Sequence, residues 1–333
     1  MRDGKNRDGY LTITLNKDRK KKSVYVHRLV AQAFIPNDDE SKIYINHIDE
    51  CKQNNRMGNL EYCTAQYNIT GIDAEDYPEL PSVNNGQKIE LDQNLMYSMV
   101  NQTVFAVADN ESSKPVYTGL KFVVENGTLT MIGVDGYRLA IRKEKINYDG
   151  EELDFVVPKK TIKEIIKLFN TEEEKTVNML ISKRHIVFEI DNYSIISRLL
   201  DGEFIDYTAA IPSVTKTTVL INTGDAIDCI ERTLPVIENN QKNPIRCLFD
   251  GDQMRVSTVS SLGRVVDYTH ANTSGDRVEI GFNSKFMLDA LHASDTDEVK
   301  IELGGPVSPA VIKPINADNF IFLVLPMRLK NEN

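Results

Sequence analysis

Residues 122–131 read FVVENGTLTM, and residues 248–256 read LFDGDQMRV. Each is an apolar, strand-forming run, a glycine turn and a second run, which is the pattern of a hairpin. The two hairpins belong to a longer internal repeat. A helical pattern at 95–100 leads to Gln102-Thr103-Val104, and another at 226–230 leads to Arg232-Thr233-Leu234, 130 residues later. Lys114-Pro115-Val116 returns as Asn243-Pro244-Ile245. Each copy then has a second helix, at 160–169 and at 285–292, followed by more strands. The order helix, strands, helix, strands therefore occurs twice, over 87–212 and 218–329. Strand-rich units with two helices each predict antiparallel sheets covered on one face by helices, an α+β fold.

The chain around this repeat has 333 residues, enough for two or three domains. Before the repeat lies a short head. Residues 10–15 and 23–26 alternate like strands, and from His27 the spacing becomes helical, with Leu29, Val30, Ala33 and Phe34 on the predicted apolar face. Pro36, Asn37 and Asp38 end that helix, and an Asn-rich stretch follows to Asn68. Periodicity is lost at 70–85, where Pro78, Pro81 and Gly86 fall. The expected division is a head at 1–70, a linker at 71–86, a first repeat at 87–212 and a second at 213–333.

Charge follows the same division. Residues 1–70 hold 12 Lys and Arg against 9 Asp and Glu, and the rest hold 27 against 40, for a net charge of −10. A basic head on an acidic body points to two modules with different histories. The longest apolar run, 320–325, is strand-sized, so no membrane span is expected. Four cysteines without a CxxC pair argue against a disulfide framework or a structural zinc and for a reducing cytoplasm. No P-loop, GxGxxG, HExxH or EF-hand loop is present, and His185, His270 and His292 are isolated, so the body reads as a binding module. Lys160, Lys163 and Lys167 share one helix face, with Lys159 beside them, a basic strip suited to DNA.

Four strings extend this reading: VDGYRLA at 134–140, VVPKKTIKEIIKLF at 156–169, SRLLDGEFIDY at 197–207 and LVLPMRL at 323–329. With them the body, from Asp73 to Leu329, resembles the bacterial DNA polymerase III β subunit, the sliding clamp. That family has three copies of one fold per chain and closes as a head-to-tail dimeric ring. The resemblance implies the second and third copies here, with 73–85 similar to the linker leaving the first. A chain without the first copy is expected to be a monomer or weak oligomer and not a closed dimer. The resemblance also implies a hydrophobic peptide pocket. Gly136, Tyr137, Arg138 and Leu139 would come from the DGYRL turn, and Leu323, Val324, Leu325, Pro326, Met327 and Arg328 from the terminal segment. Tyr117, Ile205, Ala210 and Pro309 would complete it. Ile205 stands where the family often has Pro, and Ala209 where some members have Arg, which bears on fine specificity. The implied partners are double-stranded DNA, the polymerase III catalytic subunit, the clamp loader and other proteins with clamp-binding motifs.

The head resembles HNH homing endonucleases, through VHRLVAQAFIP at 26–36, INHIDECKQNNRMGNLEY at 45–62 and Asn68. The implied fold is a ββα-metal unit holding Mg²⁺ or another divalent cation, while the clamp part needs no cofactor. By position His47 would be the general base, Asn46 and Asn68 the metal ligands, and Asn59 the residue orienting His47. His27 would pack or position. Asn46 replaces the Asp frequent in the family, and a neutral amide oxygen is a weaker ligand for a hard cation. The leading reading is a polymerase clamp preceded by an HNH module. The alternatives are a metal-dependent endonuclease tethered by a clamp body and an inactive remnant of a mobile-element insertion.

Overall fold

The computed structural model describes residues 3–5, 9–17, 20–64, 86–109, 114–237 and 244–329; expectations placed on 65–85, Asn68 among them, lie outside the described residues. The chain forms two compact units, 1–80 and 81–333.

The first unit contains strands β1 (Asp3–Lys5), β2 (Leu11–Lys17) and β3 (Lys20–Tyr25) in one antiparallel sheet. Helix α1 (Val26–Phe34) starts directly at the end of β3. Strands β4 (Tyr44–His47) and β5 (Leu60–Cys63) then form a hairpin with Asn46 opposite Glu61 and His47 opposite Leu60. The structure corrects the expected face of α1. The helix buries His27 and Ala31, one turn apart, whereas Leu29 and Val30 are half-buried and Phe34 is 66% exposed. Aromatic stacking sets this orientation: the His27 ring lies 5.4 Å from Tyr25, 5.0 Å from Tyr10 and 5.2 Å from His47. Burial, then the neighbouring His47 and Arg28 charges, lower the His27 pKa to about 4.

The second unit carries the repeat. Its first copy contains β6 (Gln87–Asp92), α2 (Gln93–Asn101), β7 (Gly119–Glu125), β8 (Thr128–Val134), β9 (Arg138–Lys145), β10 (Leu153–Pro158), α3 (Lys159–Ile165), β11 (Thr176–Ile181), β12 (His185–Ile190) and β13 (Tyr193–Arg198). The second contains β14 (Thr217–Asn222), α4 (Thr223–Glu231), β15 (Ile245–Asp250), β16 (Gln253–Ser260), β17 (Gly263–His270), β18 (Asn272–Gly275), β19 (Val278–Phe282), α5 (Ser284–Ser294), β20 (Glu298–Leu303), β21 (Ala310–Pro314) and β22 (Phe320–Val324). Local chemistry repeats with the order. Asp92 caps α2 by accepting from the Leu95 N–H at 2.9 Å, and Asn222 caps α4 by accepting from Asp225 at 3.0 Å. The β7–β8 turn uses Asn126 and Gly127 at φ 51° and 67°, the paired positive angles of a tight hairpin. Helix α3 ends earlier than the periodicity predicts, at Ile165, and one 3₁₀ turn carries the chain through Leu168.

A nine-stranded antiparallel sheet, ordered β10-β7-β8-β9-β22-β21-β20-β14-β18, runs through both copies. Its joint is the β9–β22 pair, with Leu139 opposite Leu323 and Arg142 opposite Phe320. Two four-stranded sheets, β13-β12-β11-β6 and β17-β16-β15-β19, complete the unit. Each copy has its own large apolar core. At the joint Phe322 is fully buried, stacked 4.6 Å from Phe320 and edge-on 5.4 Å from Phe105 of the first copy.

Two outcomes are expected. Phe322→Ala should destabilise the second unit by about 3–5 kcal/mol, the usual cost of emptying a buried aromatic site; a loss below about 1 kcal/mol in urea titration would contradict the packing at the joint. The lowered His27 pKa makes the second outcome a loss at acid pH. The folded head disfavours protonated His27, so stability present above the ordinary histidine pKa of 6.5 falls as pH drops from there towards about 4. Hydrogen exchange of α1 should show wild type losing protection relative to His27→Phe across that window, and parallel pH profiles would refute it.

Candidate functional site

Alternation along β9 and β22 sorts their side chains onto two faces. On one face Leu139, Ile141 and Leu323 form a cluster with Ile132 and Val134. Ala140, Phe322 and Val324 lie on the other, inside the second copy's core. Tyr117 joins the first cluster, edge-on to Phe204 at 5.6 Å. The segment after β13 supplies Phe204, Tyr207 and Ile211, none of them expected from the sequence, although their spacing by three and four residues was readable. The Lys121 ammonium sits 5.2 Å from the Phe204 ring centre. Burial, with the nearby Glu125, Asp154 and Asp206 charges, raises the Tyr207 phenol above its ordinary pKa.

The Asp135-Gly136 turn stands beside this cluster. Asp135 Oδ1 accepts from the Tyr137 and Arg138 N–H groups at 2.9 and 3.0 Å, and Gly136 takes φ 87°, where a side chain would be strained. The turn leaves Tyr137 62% exposed, 6.0 Å from Phe286 of α5. Leu325 N–H donates to the Tyr137 carbonyl at 2.9 Å, so β22 leads directly into the same place. Beyond it, Met327 N–H donates to the Gly281 carbonyl at 2.8 Å. A Cβ on Gly281 would come 2.6 Å from the Met327 carbonyl, so glycine is what lets the terminal segment lie against β19. Pro326, Met327, Arg328 and Leu329 then line a cavity of about 660 Å³ with Glu279, Pro306 and Val307. The seam thus offers an apolar cluster, an exposed tyrosine and leucine, and a second hollow along one run of chain.

Two expected pocket residues have other roles. Val324 is fully buried, because it lies on the opposite strand face from Leu323. Arg138 is 7% exposed and pairs with Asp135 at 2.9 Å and with Asp289 of α5, with its guanidinium 4.5 Å from the Phe286 ring and 5.6 Å from Phe105. It fastens the turn to the joint. Of the remaining expected residues, Ile205 is 42% exposed, Pro309 is half-buried, and Ala210 N–H donates to the Tyr207 carbonyl at 3.3 Å. Lys160, Lys163 and Lys167 are exposed on α3 and its 3₁₀ extension, with Lys167 paired to Glu164 at 2.8 Å. Lys159 differs: its ammonium is held by the Val107 carbonyl at 2.7 Å and Asp109 at 2.6 Å, so it braces the first copy and is not part of the exposed strip.

In the head, His47 closes β4 and is 5% exposed. Its Nε2 lies 2.9 Å from Asn55 Oδ1; an amide oxygen only accepts, so Nε2 carries the hydrogen and Nδ1 is the basic nitrogen of the neutral ring. This corrects the expectation for Asn59. Asn59 Nδ2 donates to Asp49 at 2.7 Å and to the Asn54 carbonyl at 2.8 Å, and its Oδ1 accepts from the Asp49 N–H at 3.1 Å. Asn59 therefore ties down the loop between β4 and β5, and Asn55 meets the histidine. These bonds, with one from Asn54, hold the Asp49 carboxyl below its usual pKa. Asn46 Nδ2 donates to Glu61 at 3.0 Å. Among the described residues no three His, Cys, Asp or Glu converge as a metal site. One amide oxygen and one engaged carboxylate fall short of the oxygen set a hard divalent cation takes.

Comparison with known proteins places these features. Residues 90–206 match the family described as DNA polymerase III beta subunit, central domain, and residues 208–328 its C-terminal domain. Residues 24–69 match the HNH endonuclease family. The beta sliding clamp of Staphylococcus epidermidis is 31% identical over 266 residues, covering 79% of this chain and 70% of that protein. The Bacillus subtilis beta sliding clamp is 30% identical over 280 residues, covering 83% and 74%. Among solved structures, the DNA polymerase III beta subunit of Thermotoga maritima superposes with a TM-score of 0.73 at 25% identity, over 81% of this chain and 72% of that one. The Bacillus subtilis DNA polymerase sliding clamp gives 0.76 at 24% identity, over 96% and 89%, a likeness of fold. The two-copy body, its shared sheet and the strings on either side of its joint are those of one family, and the chain belongs to the bacterial β sliding clamps.

Proposed function

We propose that the body serves as a sliding clamp for replicative DNA polymerase, taking short peptide motifs of its partners at the β9–β22 seam. The observation that carries this reading is the apolar cluster of Tyr117, Leu139 and Leu323 beside Tyr137 and Leu325, which are left 62% and 36% exposed. Large apolar side chains gathered at a seam between two repeats support a docking site. The partners fitting it are the polymerase catalytic subunit, the clamp loader and other replication proteins carrying a motif with a leucine and an aromatic residue. Burying those two side chains contributes about 1.5–3 kcal/mol each, backbone hydrogen bonds add to it, and ordering the peptide costs about 2–5 kcal/mol. A dissociation constant near micromolar, about −8 kcal/mol, follows.

Double-stranded DNA would meet Lys160, Lys163 and Lys167. Helix α4, in contrast, carries Asp225, Asp228 and Glu231, so the second copy adds no matching basic strip there. Weak attraction by one copy is compatible with a protein that holds DNA by enclosing it and reads no bases.

A second reading belongs to the head, favoured by the basic Nδ1 left on His47. A histidine so held can take a proton from water attacking a DNA phosphate, while a divalent cation, if the residues beyond those described complete its ligands, would supply charge stabilisation.

Titration of a fluorescent clamp-binding peptide tests the first reading. Tyr137→Ala and a chain ending at Val324 should each bind at least tenfold more weakly than the full chain, about 1.4 kcal/mol. Equal affinity, or no binding to the full chain, would remove the docking site. For the head, supercoiled DNA should be nicked in Mg²⁺ or Mn²⁺, with His47→Ala slower by about 10²–10⁴-fold. Intact DNA with a folded head under every divalent ion would make the head a structural module.

A further inference from the structure

The joint inside the chain has two unused halves. Each copy is built from two four-stranded sheets: β13-β12-β11-β6 and β10-β7-β8-β9 in the first, β22-β21-β20-β14 and β19-β15-β16-β17 in the second. Strand register matches them one to one. Strand β17 follows the β15–β16 hairpin as β9 follows β7–β8, with Thr128 opposite Lys145 in one copy and Gln253 opposite His270 in the other. Strand β13 follows β12 as β22 follows β21, with Ile186 opposite Ser197 and Ala310 opposite Val324. Inside the chain β9 pairs with β22. Their counterparts are edges: β17 pairs only with β16, and β13 only with β12. The other edges, β6, β10, β18 and β19, have no counterpart joined across the copies, so the repeat supplies a template for this pair alone.

We propose that β17 of one chain pairs with β13 of a second copy, repeating the β9–β22 joint between molecules. The internal register transfers directly. Ile321 opposite Ile141 becomes Ser194 opposite Val266, and Phe322 opposite Ala140 becomes Ile195 opposite Val265. Both edges carry the apolar surface such a joint covers. On the β17 side Val266 is 37% exposed and Tyr268 54%, with Leu262 at 67% and Leu234 at 38% beside them; on the β13 side Tyr193 is 59% exposed. Leu234 and Pro235 follow α4 where Val104 and Phe105 follow α2, and Phe105 packs across the internal joint onto Phe322. Neither β13 nor β17 contains a lysine or a proline, two of the devices that keep edge strands from pairing.

The two faces differ, so the contact is heterologous: chains add head to tail and either close into a ring or continue as a filament. This goes beyond the peptide-docking reading, because it rests on strand equivalence and not on the seam cluster; peptide binding and assembly can fail separately.

Sedimentation of the full chain over a wide concentration range tests it. The mass should rise with concentration above that of one chain. Val266→Lys and Ser194→Lys, exposed changes checked for folding by circular dichroism, should each remain single chains. Mixed in equal amounts they should form pairs and nothing larger, since each keeps the edge the other lacks. Ser194→Glu combined with Val266→Lys in one chain should restore assembly by placing opposite charges across the joint. A wild type that stays monomeric throughout, single variants that assemble like wild type, or a mixture without pairs would overturn the proposal.

Discussion

Five paired residues hold the body together: Arg138 to Arg142 on β9 against Phe320 to Val324 on β22. Without that ladder the two copies would be separate sandwiches, each with a complete core. With it, one continuous sheet passes from copy to copy. Side-chain parity on the two strands then creates two environments back to back. Phe322 and Val324 seal the core, while Leu139 and Leu323 form the floor of the docking site. The same backbone bonds therefore determine both how the copies are joined and where a partner is received.

Arg138 connects these two roles. Buried charge is costly unless paired and hydrogen-bonded, and this guanidinium has Asp135, Asp289 and the Phe286 and Phe105 rings around it. Asp135 belongs to the turn that presents Tyr137, and Asp289 and Phe286 belong to α5 of the second copy. The exposed tyrosine is thus held by a turn anchored across the joint, so little of its position is left to be ordered when a ligand arrives.

Much of this was legible in the sequence. The repeated hairpins, the helices after Asp92 and Asn222, and the paired strings at 134–140 and 323–329 carried the architecture and located the seam. What escaped notice depends on contacts between distant segments. Arg138 reads as a pocket residue until α5, 151 residues away, supplies its carboxylate. Lys159 reads as one of a basic strip until the carbonyl of Val107 claims it. Asn59 and Asn55 are equally plausible partners for His47 by spacing, and only the course of the loop between β4 and β5 separates them. Val324 is a different case, since strand alternation alone puts it opposite to Leu323. In the head, the ring stack around His27 overrode the apolar spacing of α1, which left Phe34 in solvent.

The β9–β22 pair also has a consequence for the order in which the chain folds. Arg142 and Phe320 are opposite each other, yet 178 residues separate them in sequence. Contacts this distant form late, because a long loop must close before they add any stability. During synthesis the first copy can complete its core while β9 still lacks its outer neighbour. For that interval β9 is an open edge flanked by apolar side chains, available to β22 of any other chain nearby. Capture by another molecule would exchange strands without changing a single native contact. The folding yield of this protein should therefore depend on chain concentration at the moment β22 emerges.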